Sequence, residues 1–156
     1  MCFEVRSLEQ LASNILREVG MLSRSIQSIS DVKFKELNLQ RGQFVFLTRV
    51  CENPGSNQID LSNLLKVDKT TTTKAMQKLI DEGYVTKERD HIDKRMWRLF
   101  PTSKAHRIYP IIIAEENRNI AECFRDFTEE EKQLVSELIK KMGTNIQEDW
   151  NTLKRN

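Results

Sequence analysis

Apolar residues recur every three or four positions through Leu8, Leu11, Ile15, Val19, Leu22, Ile26 and Ile29. That spacing lines one face of a long helix, and Ser7 just ahead of it offers an N-cap hydroxyl. A second helix is predicted from Arg41 to Glu52, with Phe44, Leu47 and Val50 or Cys51 turned inward. The run Asn53-Pro54-Gly55-Ser56-Asn57 stops it, since proline cannot continue the hydrogen-bond ladder and its neighbours favour turns. A short helix follows from Asp60 to Leu65, burying Leu61, Leu64 and Leu65. Asp68 then caps a helix from Lys69 to about Glu82, its carboxylate accepting from the free amides of the first turn. Gly83 is placed to close that helix in the left-handed conformation.

Beyond Gly83 the period changes. Tyr84–Arg89 and Arg95–Phe100 are rich in aromatic, branched and long side chains, and the polar turn Asp90-His91-Ile92-Asp93-Lys94 separates them. This is the pattern of a β-hairpin. Helical spacing returns after Pro101 with Ile108, Tyr109, Ile112, Ile113, Ile120, Cys123, Phe124 and Phe127. Thr128 and Glu131 have capping-box spacing and open a last helix through Leu134, Leu138, Met142, Ile146, Trp150 and Leu153. The predicted fold is mainly α with a small β-hairpin. Residues 1–36 form an N-terminal helix, 37–101 a central region and 102–156 two C-terminal helices.

With 38% hydrophobic and 31% charged residues, the 156-residue chain is apolar enough to build a core. The net charge of +2 announces no partner, but its distribution does. Ten basic residues face five acidic ones between Lys69 and Arg107, so this stretch is strongly positive and the remainder negative. No apolar run is long enough to cross a membrane and Met1–Arg6 lacks a signal-peptide core, so a soluble, cytoplasmic protein is expected. Cys2, Cys51 and Cys123 are odd in number and widely spaced, which is neither a disulfide framework nor a metal-ligand pattern. His91 and His106 are the only histidines and gather no ligand cluster. No cofactor is expected.

A short helix, a tight turn and a second helix with a polar face match a helix-turn-helix, and the basic hairpin after it makes the motif winged. Thr72, Ala75, Met76 and Leu79 share one face of the second helix. Thr70, Thr71, Thr73, Lys74, Gln77 and Lys78 are left outward. Small hydroxyls beside Lys and Gln suit the major groove, where they meet phosphates, thymine methyls and base edges. A polar helix face is more often merely solvated, and the hairpin is what shifts the balance. Lys94 and Arg95 at its turn, flanked by Arg89 and Arg98, exceed what a surface hairpin needs and fit a minor groove or a pair of phosphates. Asp90 and Asp93 oppose DNA by charge, so the work of a carboxylate beside Arg95 is to hold the guanidinium in one rotamer.

From about Leu37 to Ala105 the chain resembles the MarR family of regulators. The likeness is carried by Leu37-Asn38-Leu39 with Gln43-Phe44, and by Leu61-Ser62-Asn63-Leu64-Leu65 with Asp68-Lys69-Thr70-Thr71-Thr72-Thr73-Lys74. Leu79 with Gly83-Tyr84-Val85 extends it, as does Arg89-Asp90-His91-Ile92-Asp93-Lys94-Arg95 ending in Thr102-Ser103-Lys104. Thr72, Pro101 and Ala105 depart from the family's usual residues; the Thr72 methyl can still pack where an aliphatic residue is usual, and neither Pro101 nor Ala105 bears on the expected DNA contacts. The resemblance implies a winged helix-turn-helix flanked by dimerisation helices and bound to double-stranded DNA. Thr71, Thr73 and Lys74 would meet the major groove, and Arg95 the minor groove with Asp93 steadying it. It also implies an effector pocket for small aromatic anions, for which Arg17, Arg24, Arg49 and Trp97 are candidates.

A twofold dimer reads two half-sites where one winged helix reads few base pairs, and the seam of aliphatic residues on the first helix needs a partner. The expected function is a ligand-released repressor acting as a homodimer on a pseudo-palindromic operator. Rivals are a thiol-based redox sensor of the same fold and a winged helix used only for protein contacts. An enzyme is disfavoured by the lack of a Gly-rich phosphate loop or a nucleophile–histidine pairing.

Overall fold

The computed structural model describes residues 9–155, which fall into two compact units that meet at the Gly42–Gln43 junction. In the first, helix α1 spans Ile15–Lys33 and is followed by a single 3-10 turn, Lys35–Leu37. The helix begins later than the periodicity predicts. Residues 9–14 are not helical, so Leu11 precedes α1, and Ser7 and Leu8 lie outside the described residues. Ser13 supplies a hydroxyl to the first turn, its Oγ accepting from Ile15 N at 3.2 Å. Apolar spacing continues through a non-helical lead-in and so cannot mark where a helix starts. Ile15, Val19, Leu22 and Ile29 all remain exposed.

The second unit holds α2 (Gln43–Glu52), α3 (Gln58–Leu65), α4 (Lys69–Asp81), β1 (Val85–Arg89), β2 (Trp97–Pro101), α5 (Ser103–Cys123) and α6 (Glu129–Arg155). Helix α2 starts at Gln43 rather than Arg41 because Arg41 and Gly42 are both left-handed, at φ 59° and 76°. Helix α3 starts two residues earlier than predicted. Asn57 is its N-cap and Asp60 the returning partner of a capping box, with Asp60 N to Asn57 Oδ1 at 2.8 Å and Asn57 N to Asp60 Oδ2 at 3.2 Å. Leu61 is buried as expected, Leu65 is half-buried, and Leu64 is exposed. An eight-residue helix turns too little of its circumference toward one neighbour to bury three leucines.

The core of this unit is built from Leu47 and Val50 of α2, Met76 and Leu79 of α4, Leu99 of β2, and Ala105 and Ile112 of α5, all 2% exposed or less. Burying a side chain of this size is worth roughly 1.5–3 kcal/mol. Helix α2 packs against both α4 and α5, and the Tyr109 hydroxyl of α5 donates to Glu52 Oε2 at the end of α2, at 3.0 Å. Gly83 is left-handed at φ 77°, and Tyr84 N bonds back to Leu79 O at 2.9 Å, closing α4 as its sequence predicts.

The hairpin pairs Val85 with Pro101 through Arg89 with Trp97. It is also stitched to the turn after α2. Gly55 N donates to Leu99 O and Leu99 N to Ser56 O, each at 2.8 Å. Thr102 caps α5 through Ala105 N, and Thr128 with Glu131 forms the capping box of α6 at 2.9 and 3.1 Å. Helix α5 runs through Pro110. Leu134, Leu138, Ile146 and Leu153 of α6 are exposed. No helix among the described residues is long and apolar enough to cross a membrane.

Candidate nucleic-acid interface

Helix α4 buries Thr72, Ala75, Met76 and Leu79 and turns Thr70, Thr71, Thr73, Lys74 and Gln77 to solvent, with Lys78 half-buried. The Asp68 carboxylate fixes its first turn, accepting from Thr71 N at 2.8 Å and from Thr71 Oγ1 at 2.7 Å. These bonds to the anion hold the Asp68 carboxyl below its usual range. Thr73 Oγ1 lies 2.9 Å from both Lys69 O and Gln58 Oε1. Thr71 thus spends its hydroxyl proton on Asp68 and Thr73 on Lys69 or Gln58, which leaves their oxygen lone pairs as acceptors. Gln77 gives one amide proton to Asp81 at 2.8 Å. Lys74 has no ion pair or hydrogen bond among the described residues.

On the wing, Asp93 Oδ1 accepts from Arg95 N at 3.1 Å and from Arg95 Nε at 3.2 Å. The Arg95 side chain is 92% exposed, so this pair adds little stability. Its effect is orientation, and both terminal nitrogens of the guanidinium stay open to a ligand. Lys94 is exposed. Arg89 is turned partly to internal use, with Nη1 donating to Lys94 O at 3.2 Å and the guanidinium 4.8 Å from the Trp97 ring centre.

Two residues outside the predicted contact set hold this loop. Arg98 Nε bonds Asp90 Oδ1 at 2.7 Å, and Arg98 Nη1 donates to the Gly55 carbonyl at 2.8 Å. Asp90 Oδ2 takes the amides of Ile92 and Asp93. Their charge was legible in the sequence; their partners 8 and 43 residues away were not. The Arg98 bond and the two amides hold the Asp90 carboxyl down to about 2. Because the folded value is lowered, this brace is intact above the ordinary carboxylate range and is lost as pH falls through 2. The Ile92 and Asp93 amide resonances are expected to shift with a midpoint near 2 in an NMR pH titration. A midpoint near the ordinary value of 3.8 would show an unbraced turn.

Between the wing and the start of α3 lies an open groove of about 500 Å³ whose lining includes Gln58, Lys69, Arg95 and Trp97. The four effector-pocket candidates are spread over three elements: Arg17 and Arg24 are on α1, Arg49 on α2 and Trp97 on β2. Arg49 pairs with Glu52 at 3.5 Å, and Trp97 sits under Lys87 and Arg89.

Of the cysteines, Cys2 lies outside the described residues. Cys123 is exposed, although it follows the apolar spacing of α5. Burial and the Glu52 charge push the Cys51 thiol up to about 11, the reverse of an activated thiolate. Among the described residues no group of His, Cys, Asp or Glu could hold a metal ion.

An exposed Thr/Lys/Gln face on the second helix of a helix-turn-helix, beside a basic hairpin braced by its own carboxylates, defines a DNA-binding winged-helix transcription regulator. The sequence profile of the MarR family matches residues 39–96. The HTH-type transcriptional regulator YybA of Bacillus subtilis (strain 168) is 40% identical over 143 residues, spanning 92% of this chain and 95% of YybA. A MarR protein structure from Peptoclostridium difficile is 56% identical, with a TM-score of 0.90 over 97% of this chain and 99% of its own. A MarR family regulator from Listeria monocytogenes, solved in complex with a 26mer DNA, is 38% identical, with a TM-score of 0.88 over 96% and 97% of the two chains. The chain belongs to the MarR family.

Proposed function

We propose that this regulator acts as a homodimer on a pseudo-palindromic operator, as a repressor released by a small-molecule ligand. Support for DNA contact by these particular residues comes from Arg95. Its guanidinium is held by Asp93, yet 92% of the side chain is exposed on the same unit as the polar face of α4. Support for the dimer comes from α1 and α6, which expose Ile15, Val19, Leu22 and Ile29 and Leu134, Leu138, Ile146 and Leu153 respectively. Aliphatic rows of this extent call for a partner surface. The Listeria relative with DNA supports a duplex as the ligand of the winged region. In this reading Thr70, Thr71, Thr73, Lys74, Gln77 and Lys78 face the major groove, and Arg89, Asp93, Lys94 and Arg95 form the wing contact.

Release requires a ligand that prefers a different spacing of the two recognition helices, by a few kcal/mol, to shift occupancy strongly. The test is a titration of the protein into its own promoter and into a scrambled duplex, at about 50 and about 200 mM salt. Tight, salt-sensitive binding to the promoter by two subunits is the expected result. Equal weak binding to both duplexes would refute specific recognition of that promoter.

Lys74, unpaired on the outward face of α4, separates base reading from phosphate contact. Lys74→Ala is expected to weaken the cognate duplex by about 1–3 kcal/mol while random DNA loses much less. Equal losses on both, in competition fluorescence anisotropy, would make Lys74 a phosphate contact only.

A further inference from the structure

Ile92 is 95% exposed, the most exposed of the large apolar side chains among the described residues. The fold does not leave it there by default. Its own amide donates to Asp90 Oδ2 at 3.1 Å, and the next amide, of Asp93, donates to the same oxygen at 2.8 Å. Asp90 N bonds Met96 O, and Met96 N bonds Asp93 O, both at 2.9 Å, closing the turn. Arg98 then ties Asp90 to the Gly55 carbonyl. A closed network therefore holds a branched aliphatic side chain out in water, three residues from the oriented Arg95.

Folding gains nothing from this arrangement. A tight turn favours Asn, Asp, Ser or Gly at such positions, and an isoleucine with no neighbours adds no packing. The turn also points His91, Lys94 and Arg95 outward, and the last two are cationic, so a surface that receives them with Ile92 must be anionic and also offer apolar walls. The minor groove does both. Its edges are phosphates and its sides are deoxyribose rings, and apolar side chains are a recurrent companion of Arg there.

We propose that Ile92 is a second minor-groove contact of the wing, packing on the deoxyribose wall beside the Arg95 guanidinium. From that wall its methyls reach the groove floor, where a guanine 2-amino group would crowd them. This rests on the wing meeting DNA as proposed above.

The experiment starts from a duplex selected by the wild-type protein from a random pool, with the wing footprint mapped by hydroxyl-radical cleavage. Ile92→Ser is expected to bind this duplex about five- to tenfold more weakly with an unchanged salt slope, because no phosphate contact is lost. Ile92→Val should keep most of the affinity. The melting temperature of each variant should match the wild type, since Ile92 makes no packing contact. Diaminopurine in place of adenine under the wing adds only a minor-groove amino group. It should weaken the wild type more than Ile92→Ser.

Affinity of Ile92→Ser within twofold of wild type would overturn the contact while leaving DNA binding by the wing intact. An equal diaminopurine penalty in both proteins would overturn the groove assignment. If the wild type selects no duplex, this inference falls together with the reading beneath it.

Discussion

Arg95→Ala is expected to weaken binding to every duplex, cognate or random, by roughly ten- to a hundredfold at low salt. The guanidinium carries a full charge that only Asp93 touches, through Nε, and the side chain is otherwise in solvent. Placed in a narrow minor groove it meets enhanced negative potential. Its loss should also lower the slope of log affinity against log salt by about 0.9, the contribution of one released counterion. Asp93→Asn tests orientation separately. The charge of Arg95 stays but its anchor weakens, so affinity should fall less and the slope should hold. An unchanged slope in Arg95→Ala would remove Arg95 from the interface.

Leu99→Ala should cost about 2–5 kcal/mol of stability, measured by urea denaturation. Leu99 is fully buried at the centre of β2, and its backbone holds both bonds that stitch the wing to Gly55 and Ser56. Truncation leaves a cavity beneath the hairpin where β2 packs on α2 and α5. Because the alanine backbone can still make the two bonds, the folded fraction should keep its DNA specificity. A loss below about 1 kcal/mol would mean that the hairpin stands on other side chains.

Much of this architecture was legible in the chain. The cap at Asp68, the buried set Thr72, Ala75, Met76 and Leu79, and the left-handed Gly83 follow from local chemistry within a few residues, and all three stand. The Thr128–Glu131 box is equally local. What sequence could not carry is distance. The partners of Arg98 lie at Asp90 and at Gly55, and the third leg of the hairpin is a bridge to Ser56. No periodicity encodes such pairings, nor the reach of Thr73 to Gln58, 15 residues away. Apolar spacing does not mark the start of α1, because it continues through residues that are not helical. Leu64 is exposed against expectation, because a leucine in a short helix carries no label for which side has a neighbour.

The stitching of the wing has a mechanical consequence. Leu99 and Arg98 fasten the hairpin to the segment Gly55–Ser56, which continues directly from α2. Helix α2 in turn packs on α5 and is tied to it through Tyr109 and Glu52. The load path therefore runs from α5 through α2 to the wing tip by short, directional links. These links would carry a rotation of α5 toward the hairpin. A small change of angle at one helix would displace Arg95 in proportion to its distance from the axis.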